Sequence, residues 1–308
     1  MPRAAKAKKS NHRVKKAVSP KLPQSLSRRS KLPSVWKLSQ ASLSVLWQSK
    51  WLFLSIVLAY GIVNLAVAQG FSSGLNVTSA KNQLSGLFHG HGSELSGSIT
   101  IYALMLSSLG GGSSGSGFGY SLIFAVLASL AIIWTLRNRT GKVKVSLRDA
   151  YYRGVYPLIP FLGILLIIGL ELIPMVFGIT LYITAVNNTI AVNAIERLGF
   201  ISLMIGLSFI TLYLLSSSIF SLYIVTLPDM TPFKALRSAK DLVKKRRIAV
   251  LLRVIYLPLA LLVVSVVIVL PFIILASAAA SWAFLLLSLI MLAVLHSYLY
   301  NLYRELLL

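Results

Sequence analysis

Residues 254–275 read VIYLPLALLVVSVVIVLPFIIL and contain no charged side chain. A helix needs about 20 apolar residues to cross the hydrocarbon core of a bilayer, which is about 30 Å thick. Lipid offers the backbone no hydrogen-bond partners, so a single crossing segment must satisfy its own N–H and C=O groups as a helix. The stretch therefore predicts a transmembrane helix, and this decides how the rest of the chain is interpreted.

Five other apolar runs of similar length occur in the 308 residues. They lie near residues 51–68, 120–136, 157–177, 198–225 and 282–299. The chain is 56% hydrophobic and only 12% charged, whereas average soluble domains carry roughly 25% charged residues. We therefore predict an all-α fold in which residues 51–308 form a polytopic transmembrane bundle of six helices.

The basic residues are concentrated in alternate segments between these runs. The chain has 30 Lys and Arg against 7 Asp and Glu, a formal net charge of +23. All but two of the basic residues fall in segments 1–50, 137–153 and 229–253 or at Arg304. Because Lys and Arg in short flanking loops favour the cytoplasmic side, both termini are expected in the cytoplasm. The expected location is the cytoplasmic membrane, as a multi-pass protein.

The segments before the first run are predicted to contact the membrane surface. Residues 1–32 carry many basic and no acidic side chains, and they lack the apolar surface needed to fold alone, which predicts a disordered basic cytoplasmic arm.

Residues 33–50 place Trp36 and Trp47 among apolar residues at roughly helical spacing, which indicates an interfacial amphipathic helix. An anionic leaflet attracts each nearby Lys or Arg by about 1 kcal/mol, so anionic lipid rather than nucleic acid is the expected partner.

Residues 70–119 are rich in Gly and Ser and are predicted to form an external loop. Within this loop, residues 98–109 read SITIYALMLSSL. The run is apolar but short for a span. An interfacial or a re-entrant segment is expected there, and the sequence leaves these two alternatives open.

Residues 231–247 predict a basic cytoplasmic amphipathic helix. Thr231 can cap the helix and Pro232 can occupy its first position. The expected apolar face consists of Phe233, Leu236, Ala239 and Val243, and Lys and Arg cover the remainder. Such a helix is expected to lie on the inner leaflet.

The same region carries a resemblance to a known bacterial family. Ala235-Leu236-Arg237-Ser238, then Leu242-Val243-Lys244 and a basic pair before a span, resemble the membrane-domain family found fused to some glycerophosphodiester phosphodiesterases and in related uncharacterised membrane proteins. Asp229 matches an acidic position of that family. Residues 167–174, IIGLELIP, resemble its apolar run ending in Pro-Gly, although Met175 replaces the glycine. The resemblance covers about residues 145–300 and implies a six-helix membrane module, without the phosphodiesterase chemistry.

Two sets of candidate site residues follow from these patterns. The candidate contacts with lipid are Lys6, Lys8, Lys9, Arg13, Lys15, Lys16, Arg28, Arg29, Lys244, Lys245, Arg246 and Arg247. The candidate intramembrane polar site consists of Glu171, Asn64 and His296. A carboxylate inside a membrane is costly and suggests function; a neutral acid that packs against polar groups of neighbouring helices is the alternative.

Composition argues against an enzyme. The chain has no cysteine, and its four histidines, His12, His89, His91 and His296, are scattered along it. We therefore expect no catalytic group, no metal and no cofactor. The predicted role is structural, lipid-interacting or accessory, with a membrane-protein partner or a homo-oligomer left open. The alternative is a small-solute transporter or channel, which requires Glu171, Asn64 and His296 to converge on a cavity.

The charge pattern makes a prediction about orientation. Reporter fusions made after residues 90, 145, 190 and 240 should read outside, inside, outside and inside, because the basic loops stay in the cytoplasm. A paired alkaline phosphatase and fluorescent-protein reporter measures each side independently. Any other order contradicts the six-span topology.

Overall fold

A computed structural model describes residues 32–68, 98–105, 115–140, 145–188 and 190–307. The predicted basic arm, apart from residue 32, and most of the predicted external loop lie outside these residues. Within the described ranges the chain is helical and contains no β-strand. The predicted all-α class is therefore confirmed.

The helices are α1 (Val35–Gln48), α2 (Lys50–Val63), α3 (Gly115–Thr140), α4 (Leu147–Gly154), α5 (Leu158–Asn187), α6 (Ala194–Ile224), α7 (Pro232–Val243), α8 (Arg247–Leu275) and α9 (Ser277–Leu307). A π-helical turn, Asn64–Ala68, extends α2, and residues 98–105 form a further helical segment. Among the described residues, six helices are long and apolar enough to cross a membrane: α2 with its extension, α3, α5, α6, α8 and α9. This confirms the six predicted spans.

Five of these helices clearly exceed the apolar runs that predicted them. α3 contains 26 residues, and α5, α6, α8 and α9 contain 29 to 31 residues each, which corresponds to about 45 Å for these four at 1.5 Å per residue. Hydropathy detects only the part of a helix that suits lipid, whereas the helix itself continues until a backbone break or cap ends it. α6, for example, begins at a capping box in which Asn193 and Glu196 bind each other's backbone.

Hydrogen bonds gather several helix ends at one end of the bundle. Arg139 near the end of α3 donates to the Ser49 hydroxyl before α2, and Arg137 donates to the Thr226 carbonyl after α6. The amide of Asn301 near the end of α9 donates to the Ser42 hydroxyl of α1. We call this the basic end, after Lys50, Arg137, Arg139, Arg247 and Arg253. That the basic end faces the cytoplasm stays a prediction.

Helix α1 packs along α9. Its residues Leu38 and Ser42 are buried, and the Ser297 hydroxyl donates to the Ser42 carbonyl oxygen at 3.0 Å. The helix predicted over residues 33–50 ends at Gln48, because the backbone leaves the helical region at Ser49 and α2 begins at Lys50. α1 is therefore a separate helix that is fastened to the bundle by side chains.

Helix α7 packs along α6, and its packed face matches the predicted one at Leu236, Ala239 and Val243 but not at Phe233. Ala235, Ala239 and Val243 are buried, whereas Phe233 is 79% exposed. Small side chains allow the two helices to approach closely, and the ring of Phe233 points outward. The helix also ends at Val243, so the basic residues that follow form the turn into α8.

Residues 98–105 reach into the bundle from the end opposite the basic end. Ile101 and Met105 pack in a cluster with Val269 of α8 and Phe284 of α9, and the Tyr102 hydroxyl hydrogen-bonds to Ser265. Ser265 lies ten residues before the last residue of α8, or about 15 Å along the helix. This depth favours the re-entrant alternative; residues 106–109 of the predicted segment lie outside the described residues.

The packing of α4 on α3 yields a stability prediction. A Cβ added at Gly154 would lie 3.2 Å from the Leu130 carbonyl oxygen and from the Ala131 Cα atom. Gly154→Val should therefore lower stability by about 1–3 kcal/mol, the usual cost of overpacking. The matched control is Gly206→Val, where nothing lies within 4 Å of the added atom. Unfolding temperatures in detergent, followed by tryptophan fluorescence, should fall for the first variant only.

Candidate functional site

A groove of about 790 Å³ opens between α1, α2 and α9 at the basic end. Most of its walls are apolar side chains: Leu43 and Leu46 from α1, Phe53, Leu54 and Val57 from α2, and Ile290, Ala293 and Val294 from α9. Along α2 the lining runs from Lys50 to Val57, a rise of about 10 Å. The groove therefore presents an apolar floor with a single cation at one end of this row.

Lys50 lies between two indole rings. Its Nζ atom is 4.9 Å from the centroid of the Trp47 ring and 5.9 Å from that of the Trp51 ring, within the range of cation–π attraction. Both tryptophans are more than 70% exposed. In the described part of the chain the one salt bridge joins Arg153 and Asp149, so Lys50 has no acidic partner there.

A second cation, Arg139, binds the break between α1 and α2. The Nε atom of Arg139 donates to the Ser49 hydroxyl at 2.6 Å, and its Nη2 atom donates to the Gln48 carbonyl oxygen at 3.3 Å. The break between α1 and α2 places both acceptors, the Gln48 carbonyl and the buried Ser49 hydroxyl, next to the end of α3. Arg139 thus fixes the end of α3 next to the residue that precedes Lys50.

The groove-lining part of α2 is held from behind by α4. The Tyr151 hydroxyl donates to the Ile56 carbonyl oxygen at 2.9 Å. Burial, with a smaller contribution from the neighbouring Tyr60, raises the pKa of Tyr151 to about 12. The hydroxyl therefore stays protonated at physiological pH and keeps donating.

A second pocket, of about 840 Å³, lies between α3, the start of α5 and the loop after α6. Trp134, Asn138, Tyr156 and Asp229 line it together with two arginines. Arg137 donates to Thr226 and to the Tyr223 carbonyl oxygen, whereas Arg153 is exposed and approaches Asp149 at 3.9 Å. The second pocket thus has carboxylates near its cations, whereas Lys50 in the groove has no acidic partner among the described residues.

The three predicted intramembrane polar residues have separate partners. Glu171 accepts a hydrogen bond from Ser218 at 2.6 Å, between α5 and α6. Asn64 donates to Tyr60 and to Ser121 of α3, both at 3.2 Å, and His296 of α9 lies 3.2 Å from the Tyr223 hydroxyl of α6. They share no hydrogen-bond partner, and none of the three lines the groove or the second pocket.

Four of the predicted lipid-contact residues are described. Lys244 and Lys245 are exposed, and Arg246 and Arg247 are half-buried; the guanidinium of Arg247 lies 4.5 Å from the centroid of the Tyr213 ring. The other predicted contacts, from Lys6 to Arg29, lie outside the described residues.

The sequence prediction did not include Lys50, Trp51 or Arg139. The motif Trp47-Gln-Ser-Lys50-Trp51 was a usable signal, because aromatic and basic residues at the start of a span are typical of a headgroup boundary. Nothing in the sequence indicated that α9 forms a wall of the groove, because its lining residues follow Lys50 by more than 200 residues.

No protein-family model, no curated protein and no solved structure matches the chain. Its assignment as a multi-pass membrane protein rests on the length and composition of its helices. The resemblance of residues 145–300 to the membrane-domain family stays a prediction.

The fastening of α1, which forms one wall of the groove, can be tested at Arg253. Its guanidinium donates to the carbonyl oxygens of Leu32 and Pro33 just before α1. Arg253→Gln should release this end of α1 and speed amide hydrogen exchange over residues 35–48 about tenfold, because hydrogen bonds to a charged donor contribute about 1.5–3 kcal/mol when they are made. Arg304→Gln, at an exposed arginine of α9, is the control. Unchanged exchange in the Arg253 variant contradicts the proposed fastening.

Proposed function

We propose that the chain is a non-catalytic protein of the bacterial cytoplasmic membrane that interacts with anionic phospholipid at its basic end. The observation that carries this proposal is the set of exposed lysines at the basic end, Lys50, Lys244 and Lys245, none of which has an acidic partner among the described residues. The orientation that the proposal assumes comes from the distribution of Lys and Arg.

Exposed aromatic side chains at the basic end support this role. Trp36, Trp47 and Trp51 are all at least two-thirds exposed, and so are Tyr152 and Tyr156. Indole and phenol rings favour the headgroup region, where an apolar ring and a polar N–H or O–H are both satisfied. Trp282 near the start of α9 is exposed as well, which suits the opposite boundary.

The segment between α7 and α8 supports the same role. Lys244 and Lys245 are exposed, and the exposed apolar side chains of Ile248 and Leu252 follow them on the first turns of α8. Apolar side chains that can enter the hydrocarbon, next to lysines that can reach the headgroups, suit the surface of an anionic leaflet. Each such lysine contributes about 1 kcal/mol to the attraction.

The transporter alternative has less support. A transport path through Glu171, Asn64 and His296 needs these side chains around a common cavity, and each of them instead binds a different neighbour. Interhelical hydrogen bonds of this kind are ordinary contributors to packing in membranes.

The proposal predicts a charge-dependent preference for anionic lipid. The purified full chain, equilibrated in nanodiscs of equal phosphatidylglycerol and phosphatidylcholine, should retain phosphatidylglycerol preferentially when it is released for native mass spectrometry. Replacing both Lys244 and Lys245 by Gln should reduce this preference several-fold, because two attractions to the headgroups are lost.

The matched control replaces the same two lysines by Arg, which keeps the charge and should keep the preference. Equal retention of the two lipids by the unaltered chain would overturn the proposal.

A further inference from the structure

We infer that the groove between α1, α2 and α9 is a site for one anionic phospholipid molecule, with an acyl chain along the groove and the phosphate at Lys50. The inference rests on the proposed function and deepens it. General attraction between a basic surface and a leaflet involves many exchanging lipids, whereas this groove would hold a single lipid in a fixed position.

The length of the groove suits part of one leaflet. Its lining along α2 runs from Lys50 to Val57, about 10 Å along the helix. Beyond the lining, α2 and α9 are in tight contact at Gly61, where an added Cβ would lie 2.7 Å from a methyl carbon of Leu289. The hydrocarbon core is about 30 Å thick, so the lining extends from the cation over about two-thirds of one leaflet.

The walls of the groove are held by the protein's own hydrogen bonds. α1 is held against α9 by the hydrogen bonds from Ser297 and Asn301 to Ser42, and Tyr151 holds α2. The protein's own side chains leave about 790 Å³ open, a volume within the roughly 300–1,000 Å³ of ligand pockets. A pre-formed site avoids the cost of ordering these helices upon binding.

The chemistry of the groove favours a lipid whose headgroup carries a net negative charge. Lipid tails are as apolar as leucine, so moving an acyl chain from the bilayer into the groove gains little hydrophobic free energy and does not discriminate between lipids. Selection must come from the headgroup. The ammonium of Lys50, the one cation of the lining, can make charge-assisted hydrogen bonds to phosphate oxygens.

Two pairs of variants test the two halves of this site. Lys50→Gln removes the cation, and Lys50→Arg keeps it. Leu54→Trp adds bulk to a lining residue, and Leu58→Trp places the same bulk one turn further along α2, outside the lining. Leu54 and Leu58 are 39% and 40% exposed, so the two tryptophan variants are matched in both exposure and helix.

The measurement is the number of phosphatidylglycerol molecules that stay bound to the full chain in native mass spectra at increasing collision energy. The unaltered chain should retain one molecule after the others dissociate. Lys50→Gln should reduce the retained fraction about fivefold, the effect of losing one lysine at a headgroup, and Leu54→Trp should abolish it. Lys50→Arg and Leu58→Trp should retain it.

Results that differ from these expectations overturn the inference of a single lipid site in the groove. If the unaltered chain prefers phosphatidylglycerol but both Lys50→Gln and Leu54→Trp keep the last molecule, the lipid is held elsewhere and only the general proposal survives. If phosphatidylcholine is retained equally, the general proposal fails too. If Leu54→Trp instead dissociates a dimer, a second copy occupies the groove. Should Leu54→Trp fail to fold, the comparison of Lys50→Gln with Lys50→Arg decides.

Discussion

The bundle depends on polar contacts and close packing between helices, because lipid removes the usual driving force for association. Apolar side chains gain little by leaving lipid tails for one another. Ser218 with Glu171, Tyr223 with His296 and Asn64 with Ser121 each join two different spans. Bonds of this kind contribute on average about 0.6 kcal/mol each, so several are needed together with tight contacts such as Gly61 against Leu289.

The same constraint applies to Glu171. A carboxyl group in an apolar span has to find a donor, and the Ser218 hydroxyl of α6 donates to its Oε1 atom, whereas its buried Oε2 atom has no partner among the described residues. The hairpin of α5 and α6 otherwise exposes most of its apolar length, with only 11% and 6% of the two spans buried. The hydrogen bond therefore joins two helices that have little other protein around them.

The basic side chains at the basic end have two different roles. Arg137, Arg139 and Arg253 donate to carbonyl and hydroxyl oxygens and so fasten helix ends to one another. Lys50 and Lys244 remain turned to the surroundings. The planar guanidinium, with several donors in fixed directions, suits the fastening. The ammonium of Lys50 is exposed and has no acidic partner among the described residues, so it is free to contact a headgroup, and the proposed lipid site is built around it.

The sequence by itself determined the six spans, since an uncharged run such as residues 254–275 has only one low-energy form in lipid. The positions of Trp36 and Trp47 also indicated where the membrane–water interface lies. The length of residues 98–109 showed that this segment is too short to cross the membrane. Only the tertiary structure decided that Phe233 points outward, that α1 is fastened to α9, and that Lys50 ends an apolar groove. Hydropathy is a property of neighbouring residues, whereas the groove needs Leu43, Val57 and Val294 side by side, and helix packing alone brings them together.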